Sequence, residues 1–564
     1  MQMKKNTQDL LIILFVSFIF IVPFLLSKAM IIGSDSIFHF NRFYDTAMQM
    51  KNGNFQYFIS MYGFQQSGRI VNALYGPMIA YFHGGLVLLS HSWFQYQILS
   101  NFILFVLSGF SIYFFLTKAK IILSLRLPIS IIYMTTFSIL YWITRQGFSS
   151  WGAALLPICL LPIIDLVNKK QIRPVELGLL TALMVQTHLF SSLLLILIYL
   201  PFFTYAWFNS SVRIKLTLNL LLSIVLFLFL TLNIWYSFFD IYGHHEILSP
   251  FINQTMSKNT INSNSFYWLF VPAGLFLMLL FELFHGLRFW TESSPLHKLT
   301  WTLMAFFLFL STSLIPWSYL VKQGNSLAEL IQFPFRFFVP CTILLLFSFC
   351  LTVQKHFLKP EWKHKKIFTL FVWASMAQVL ILISVFMFQW HNYNTFEHLG
   401  KHTSLYSEDE QEIKRSFFDS DLSKSLYFLQ KATPDYLPLN TTNIDSKEKN
   451  KYETYKQEVI DKNAHFSKTI KKDTLIVEWI GDKENLVDIP IIKYYRTQLV
   501  FNGEKVKNNA VVVSSIGALK LLQKKGSNTL NVTYSNPPGF TQILVVTVSS
   551  WIVCTGIVVL KINE

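Results

Sequence analysis

LLIILFVSFIFIVPFLLSKAMII, residues 10–32, runs directly into GSDSIFHFNR, residues 33–42. At 1.5 Å per residue the first stretch is long enough to cross a hydrocarbon layer of about 30 Å as a helix. The second turns polar at once and carries an acid, an imidazole and a guanidinium. Lys4 and Lys5 precede the apolar run, but it is too long for the core of a signal sequence and lacks a small-residue cleavage site, so it reads as a retained first helix. The junction predicts a membrane helix followed by a loop equipped for chemistry.

The rest of the chain repeats the apolar pattern. Hydrophobic residues make up 52% of the 564 and charged residues 14%, a mix that excludes an ordinary soluble protein. Blocks of about 20 apolar residues predict about twelve transmembrane helices, near 10–32, 97–117, 128–144, 151–168, 174–189, 191–208, 216–236, 266–286, 299–320, 334–353, 367–389 and 541–560. With the N-terminus inside, the loops holding Lys118, Lys169, Arg213, Arg288 and Lys355 all fall on the cytoplasmic side of a cell membrane, as does the C-terminus. The net charge of +16 is then an orienting charge, and nucleic acid is excluded as a partner. Residues 74–90 would reverse every later loop if they crossed. Gly76-Pro77 and His83-Gly84-Gly85 predict an interfacial or re-entrant helix there instead. Cys159, Cys341, Cys350 and Cys554 lie in apolar runs without paired spacing, which points to buried small hydrophobes and not to disulfides or thiolate metal sites.

Composition divides the chain into a membrane domain, 1–389, with an external loop at 33–73, an extracytoplasmic domain at 390–540, and a last helix at 541–564. Within 390–540 the early part reads as helical or irregular. Thr474 to Tyr534 shows short β-rich runs, with turns at Asn502-Gly503 and Lys525-Gly526-Ser527-Asn528, which predicts a small β-sandwich tethered by the last helix.

Asp35, His39 and Arg42 fall at i, i+4 and i+7 of a helix beginning at Ser34, and so share a face, with Asp45 following. A carboxylate there can accept a proton from an attacking hydroxyl, and Arg42 can hold it ionised or bind phosphate. The same spacing also suits an N-capping Ser34 and a solvated first turn with a dipole-stabilising Asp35. Arg336 stands at the start of a span, where a cation must snorkel, pair or meet an anion. Arg145 is a lone external cation, suited to a lipid phosphate, a carboxylate or plain solvent. His188 is an intramembrane ionisable group. His244-His245-Glu246 has metal-capable donors but adjacent positions and no HExxH spacing. No Walker loop, nucleophile elbow or GxGxxG turn is present. No cofactor is called for by a motif, and a divalent cation stays open.

The Gly-Ser-Asp35 loop, Gln332-Phe-Pro-Phe-Arg336-Phe, Asp435-Tyr-Leu-Pro438 and Phe501-Asn-Gly-Glu-Lys-Val506 together resemble bacterial YfhO-type membrane proteins, which overlap those named for a 6-pyruvoyl-tetrahydropterin-synthase-related domain. Phe335 stands where Trp is expected, and the zinc-binding histidines of the soluble pterin enzyme are not evident. Such proteins are similar to the GT-C glycosyltransferases. The resemblance implies a polytopic GT-C-like fold and an inverting glycosyl transfer from a polyprenyl-phosphate sugar to an envelope polymer, lipid or protein. It makes Asp35 the general base, Arg336, Arg145 or Arg42 the partners of the leaving phosphate, Asp45 the nearest second acid, and Gln332 and His39 further substrate-side residues. The alternative function is non-enzymatic translocation of lipid or polymer, with His188, Asn233 and Asp165 along a path, or an envelope assembly role.

Overall fold

The computed structural model describes residues 2–248, 251–357, 365–396, 399–400, 402–440, 450–507 and 511–563. The chain is mostly helical, with a small sheet region near the C-terminus. Nine helices among the described residues are long and apolar enough to cross a membrane: Lys5–Ser27, Trp93–Lys118, Leu123–Arg145, Ser149–Lys169, Leu189–Phe208, Arg213–Leu230, Pro334–His356, Phe368–Asn392 and Phe540–Leu560. Large apolar side chains such as Leu26, Ile214 and Ile552 stay exposed on their surfaces, as expected of lipid-facing helices. The protein is membrane-embedded.

Nine is fewer than the expected twelve, and the shortfall has local causes. The expected span 174–189 is the 14-residue helix Pro174–Thr187, which ends where His188 adopts extended backbone. Span 266–286 is divided by Pro272 into Tyr267–Phe270 and Ala273–Arg288. Span 299–320 is Pro295–Leu310, 16 residues long. At 1.5 Å per residue such helices reach only about 21–24 Å.

The first helix, α1 (Gln2–Ser27), is followed by α2 (Ser36–Asn52) and then by α3 (Pro77–Leu88). α3, within the stretch 74–90, is 12 residues long, roughly 18 Å and too short to cross. It lies on α2, where Thr46 Oγ1 donates to the Ala80 carbonyl at 2.9 Å. A Cβ on Gly84 would stand 2.4 Å from that hydroxyl, so only glycine permits this approach.

The C-terminal region opens with a two-stranded sheet, β1 (Thr403–Leu405) against β2 (Leu429–Lys431). Eight strands follow: β3 (Ser467–Lys471), β4 (Thr474–Gly481), β5 (Asn485–Ile492), β6 (Thr497–Phe501), β7 (Glu504–Lys505), β8 (Val512–Val513), β9 (Ala518–Gln523) and β10 (Gly526–Tyr534). They form an antiparallel sheet of order β3-β4-β10-β6-β7 and another of order β5-β9-β8. Leu475, Val477, Leu499, Leu530 and Val532 of one sheet share a core with Ile489, Leu519 and Leu521 of the other. Phe58, Ile59, Met61, Ile70 and Leu74, from the loop between α2 and α3, join the same core. Ile492 N donates to Ser67 O at 2.7 Å and Ile70 N to Tyr494 Oη at 3.0 Å. The loop is thus folded into the sheet domain and joins it to the helical bundle.

Candidate functional site

Asp35 sits at the point where α1, α2 and the C-terminal region meet. It occupies the N-cap of α2 without a side-chain capping bond, which leaves its carboxylate available. The backbone before it is held by close approach: a Cβ on Gly33 would lie 2.4 Å from the Arg145 backbone. Asp35 N donates to Arg145 O at 3.2 Å. Gln146, in left-handed conformation at φ 52°, accepts from Gly33 N at 2.6 Å through Oε1 and also from the Ser36 hydroxyl. Its Nε2 donates to Ile31 O at 3.2 Å. One amide therefore ties both sides of the Asp35 turn to the end of the helix Phe137–Arg145.

Lys431, the last residue of β2, donates to the Ser34 carbonyl and places Nζ 4.0 Å from Asp35 Oδ1. The Asp35 side chain keeps 45% of its surface, yet surrounding protein raises its pKa, opposed by Lys431, the Ser34 hydroxyl, Arg336 and Arg145. The carboxylate is thus accessible while packed closely enough to protein that desolvation opposes its charge. Asp435 belongs to the same field: burial raises its pKa, Arg69 lowers it, and Asp35 and Lys431 act on it in opposite senses. Its loop is fixed by Arg69, which donates to the carbonyls of Thr433 (2.6 Å) and Asp435 (2.5 Å). Tyr436 stacks on Tyr75, centroids 6.2 Å apart.

His39 and Arg42 are buried further along α2. They touch each other, Arg42 Nη1 to His39 Nδ1 at 3.3 Å, and the expected three-way convergence with the Asp35 carboxylate is not formed. Arg42 is fully buried, donates from Nε to Asn72 Oδ1 at 3.0 Å and to the Tyr75 carbonyl, and stacks under the Tyr75 ring at 4.3 Å. Burial pushes its pKa down to about 10. His39 is packed against Phe148 at 4.9 Å, and burial followed by the Arg42 charge holds its pKa well below the usual range, so the imidazole is neutral. Both residues support Tyr75, and Arg42 supplies positive potential with no acidic salt-bridge partner among the described residues.

Asp45 is directed elsewhere. One oxygen accepts from the backbone of Tyr62 (2.8 Å) and Gly63 (3.2 Å), the other from Gln49 Nε2 (2.8 Å). Ten residues along α2 place it about 15 Å from Asp35, so the expected second acid is a clamp on the α2–α3 loop, and Asp435 is the carboxylate brought towards Asp35. Gln332 accepts from Arg336 Nη1 at 2.9 Å and donates to Phe251 O at 2.8 Å. This orients the Arg336 guanidinium against Phe333 and Phe190. Arg145 is exposed and contributes charge to Asp35 at a distance.

The polar residues of the translocation alternative each have separate partners. Asp165 is paired with Lys118 (2.9 Å), Lys169 (3.1 Å) and Arg173 (3.5 Å). Asn233 binds Gln186 and Tyr57, and His188 accepts from Ser191 N at 3.3 Å as an N-cap. His245 accepts from Tyr495 N. Among the described residues no three His, Cys, Asp or Glu side chains gather as a metal-binding group. Beside Asp35 it is an ammonium, Lys431, that stands where a divalent cation would have to bind, so the residues present do not fit one.

Sequence reasoning quoted Asp435 within a motif but gave it no role, and it missed Lys431, Gln146, Tyr75 and Arg69 altogether. Nothing local distinguishes these residues, since their importance comes from pairings across hundreds of positions. No protein-family model matches the chain, and no curated protein matches it in sequence.

Proposed function

We propose that this protein is a membrane glycosyltransferase of GT-C type, which moves a sugar from a polyprenyl-phosphate donor to a cell-envelope acceptor on the extracytoplasmic face. The observation that carries the reading is the Asp35 carboxylate, accessible yet desolvated, with Lys431 at 4.0 Å and the charges of Arg336 and Arg145 acting on it. Inverting transfer needs a base to take the acceptor hydroxyl proton while that oxygen attacks the anomeric carbon, and cations to receive the phosphate that departs. Asp35 serves as that base. Lys431, Arg336 and Arg145 stabilise the phosphate charge, Arg336 with the planar fork that suits it. The nine apolar helices supply the membrane setting a lipid-linked donor requires.

The test compares a deletion strain with the same strain carrying wild-type protein or Asp35→Asn, by mass spectrometry of envelope polymers and lipids. The deletion should lack one glycosyl group and accumulate a lipid-linked sugar, and Asp35→Asn should fail to restore either while reaching wild-type abundance. Full restoration by Asp35→Asn would end the transferase reading.

A further inference from the structure

At the opposite end of α2 from Asp35, roughly 25 Å along the helix, the α2–α3 loop meets β3 around a recess of about 310 Å³. This is at the lower end of the range for ligand pockets. Its lining is mostly polar: Asn52, Asn54, Tyr62 and Gln66 on one side, Lys468, Thr469 and Lys472 with the apolar Ile470 on the other. Tyr62 Oη receives both asparagine amides at 2.9 Å, and Asn54 also donates to Lys472 O at 3.1 Å, so the two sides are fastened together. The Gln66 side-chain amide and the Thr469 hydroxyl line its edge with no hydrogen-bond partner among the described residues.

The charge here is one-sided. Lys468 Nζ is held by the carbonyls of Gln65 (2.7 Å), Pro490 (3.0 Å) and Gln66 (3.4 Å), with no carboxylate as a salt-bridge partner among the described residues. Three consecutive left-handed residues, Phe64, Gln65 and Gln66, turn those carbonyls onto it. Burial lowers the Lys468 pKa to about 7, so its charge is partial at neutral pH, and together with the exposed Lys472 at the rim it gives the recess a positive potential that attracts anions. Amide, phenol and hydroxyl groups around it are the donors and acceptors that sugar hydroxyls use.

We infer that this recess is a second binding site, for an anionic saccharide such as a uronate- or phosphate-bearing segment of an envelope polymer. It is separate from the Asp35 site and does not depend on the reading proposed for it. The test is calorimetric binding of tetragalacturonate and of neutral maltotetraose to the full-length protein in lipid nanodiscs. The acidic probe should bind and the neutral one should bind at least tenfold more weakly. Lys472→Glu, at an exposed turn, and Thr469→Trp, which fills the recess, should each weaken the acidic probe at least tenfold without altering thermal unfolding. Asp35→Asn should leave the binding unchanged. Absence of binding, equal binding of the two probes, or indifference to both recess variants would overturn the site. Loss of binding in Asp35→Asn would move it to the other end of α2.

Discussion

Lys431 Nζ lies 4.0 Å from Asp35 Oδ1 while donating to the carbonyl of Ser34, so a strand of the C-terminal region delivers the cation that acts most strongly on the loop carboxylate. Burial raises the Asp35 pKa, and Lys431 is the first of the groups that lower it.

Replacing Lys431 by Met removes this opposition, and the carboxylate then stays protonated to higher pH. A base must be ionised to accept a proton, so the acid limb of the transfer rate should move upward. The loss should be about five- to tenfold larger at the acid end, the effect of roughly 1 kcal/mol, than at pH 8, where the missing phosphate partner alone lowers the rate. The measurement is a pH profile of glycosyl transfer in membranes carrying each form. An unshifted limb would mean that Asp35 is not the titrating base.

Gly33→Ala tests the turn itself. The added Cβ would meet Arg145 Cα and C at 2.4 Å, and backbone cannot swing aside as a flexible side chain can. The loop must shift, at a cost of about 1–3 kcal/mol, and Asp35 moves with it. Transfer should fall to near background while the protein still inserts. Thermal unfolding and activity measured on the same preparation check both parts.

The features that could be read from the sequence were local. The run 10–32 followed by Asp35, the Gln332–Arg336 segment and the β-rich runs after Thr474 each announce themselves within a few residues, because apolar length, charge at a span's edge and alternation are short-range signals. Pairings that fold the chain back were not legible. Nothing around Lys431 or Arg69 says that one meets Ser34 and the other the carbonyl of Asp435. Asp45 shows the converse: proximity in sequence suggested a second acid at the site, and the backbone amides of Tyr62 and Gly63 draw it away. Nine described helices of spanning length stand against twelve expected spans because hydropathy averages across the breaks at His188 and Pro272 and past the helix end at Leu310, which cost little apolarity but end a helix.

Asp45 also makes stability depend on pH. Burial pushes its pKa up to about 6, despite the hydrogen bonds from Tyr62, Gly63 and Gln49 that favour the anion. The folded form therefore holds this proton more tightly than the unfolded chain, whose carboxyl titrates near 3.8. The stabilisation from the bound proton is complete below that value and is lost as pH rises through 6, a change on the order of 3 kcal/mol. Asp45→Asn cannot titrate, so its unfolding temperature should vary less between pH 4 and 6.5 than that of the wild type. Parallel curves for the two proteins would remove Asp45 as the source.

Arg69 joins the loop, the sheet domain and the candidate site in one side chain. It is fully buried, donates to the carbonyls of Thr433 and Asp435, and lies over Phe64 at 4.6 Å and Tyr455 at 5.1 Å. Arg69→Met keeps much of the aliphatic volume and stacking but leaves both carbonyls without their donor, which should cost about 3 kcal/mol. The segment from Thr433 to Tyr436 then loses its anchor, and with it the stacking of Tyr436 on Tyr75 and the position of Asp435. Protease cleavage within 433–438 should appear in the variant and be absent from the wild type, together with a lower unfolding temperature. Lys431, held by pairing of β2 with β1, should remain at Asp35. The variant would then retain part of its transfer activity where Asp35→Asn retains none, and complete loss would show that Asp435 is needed for the reaction itself.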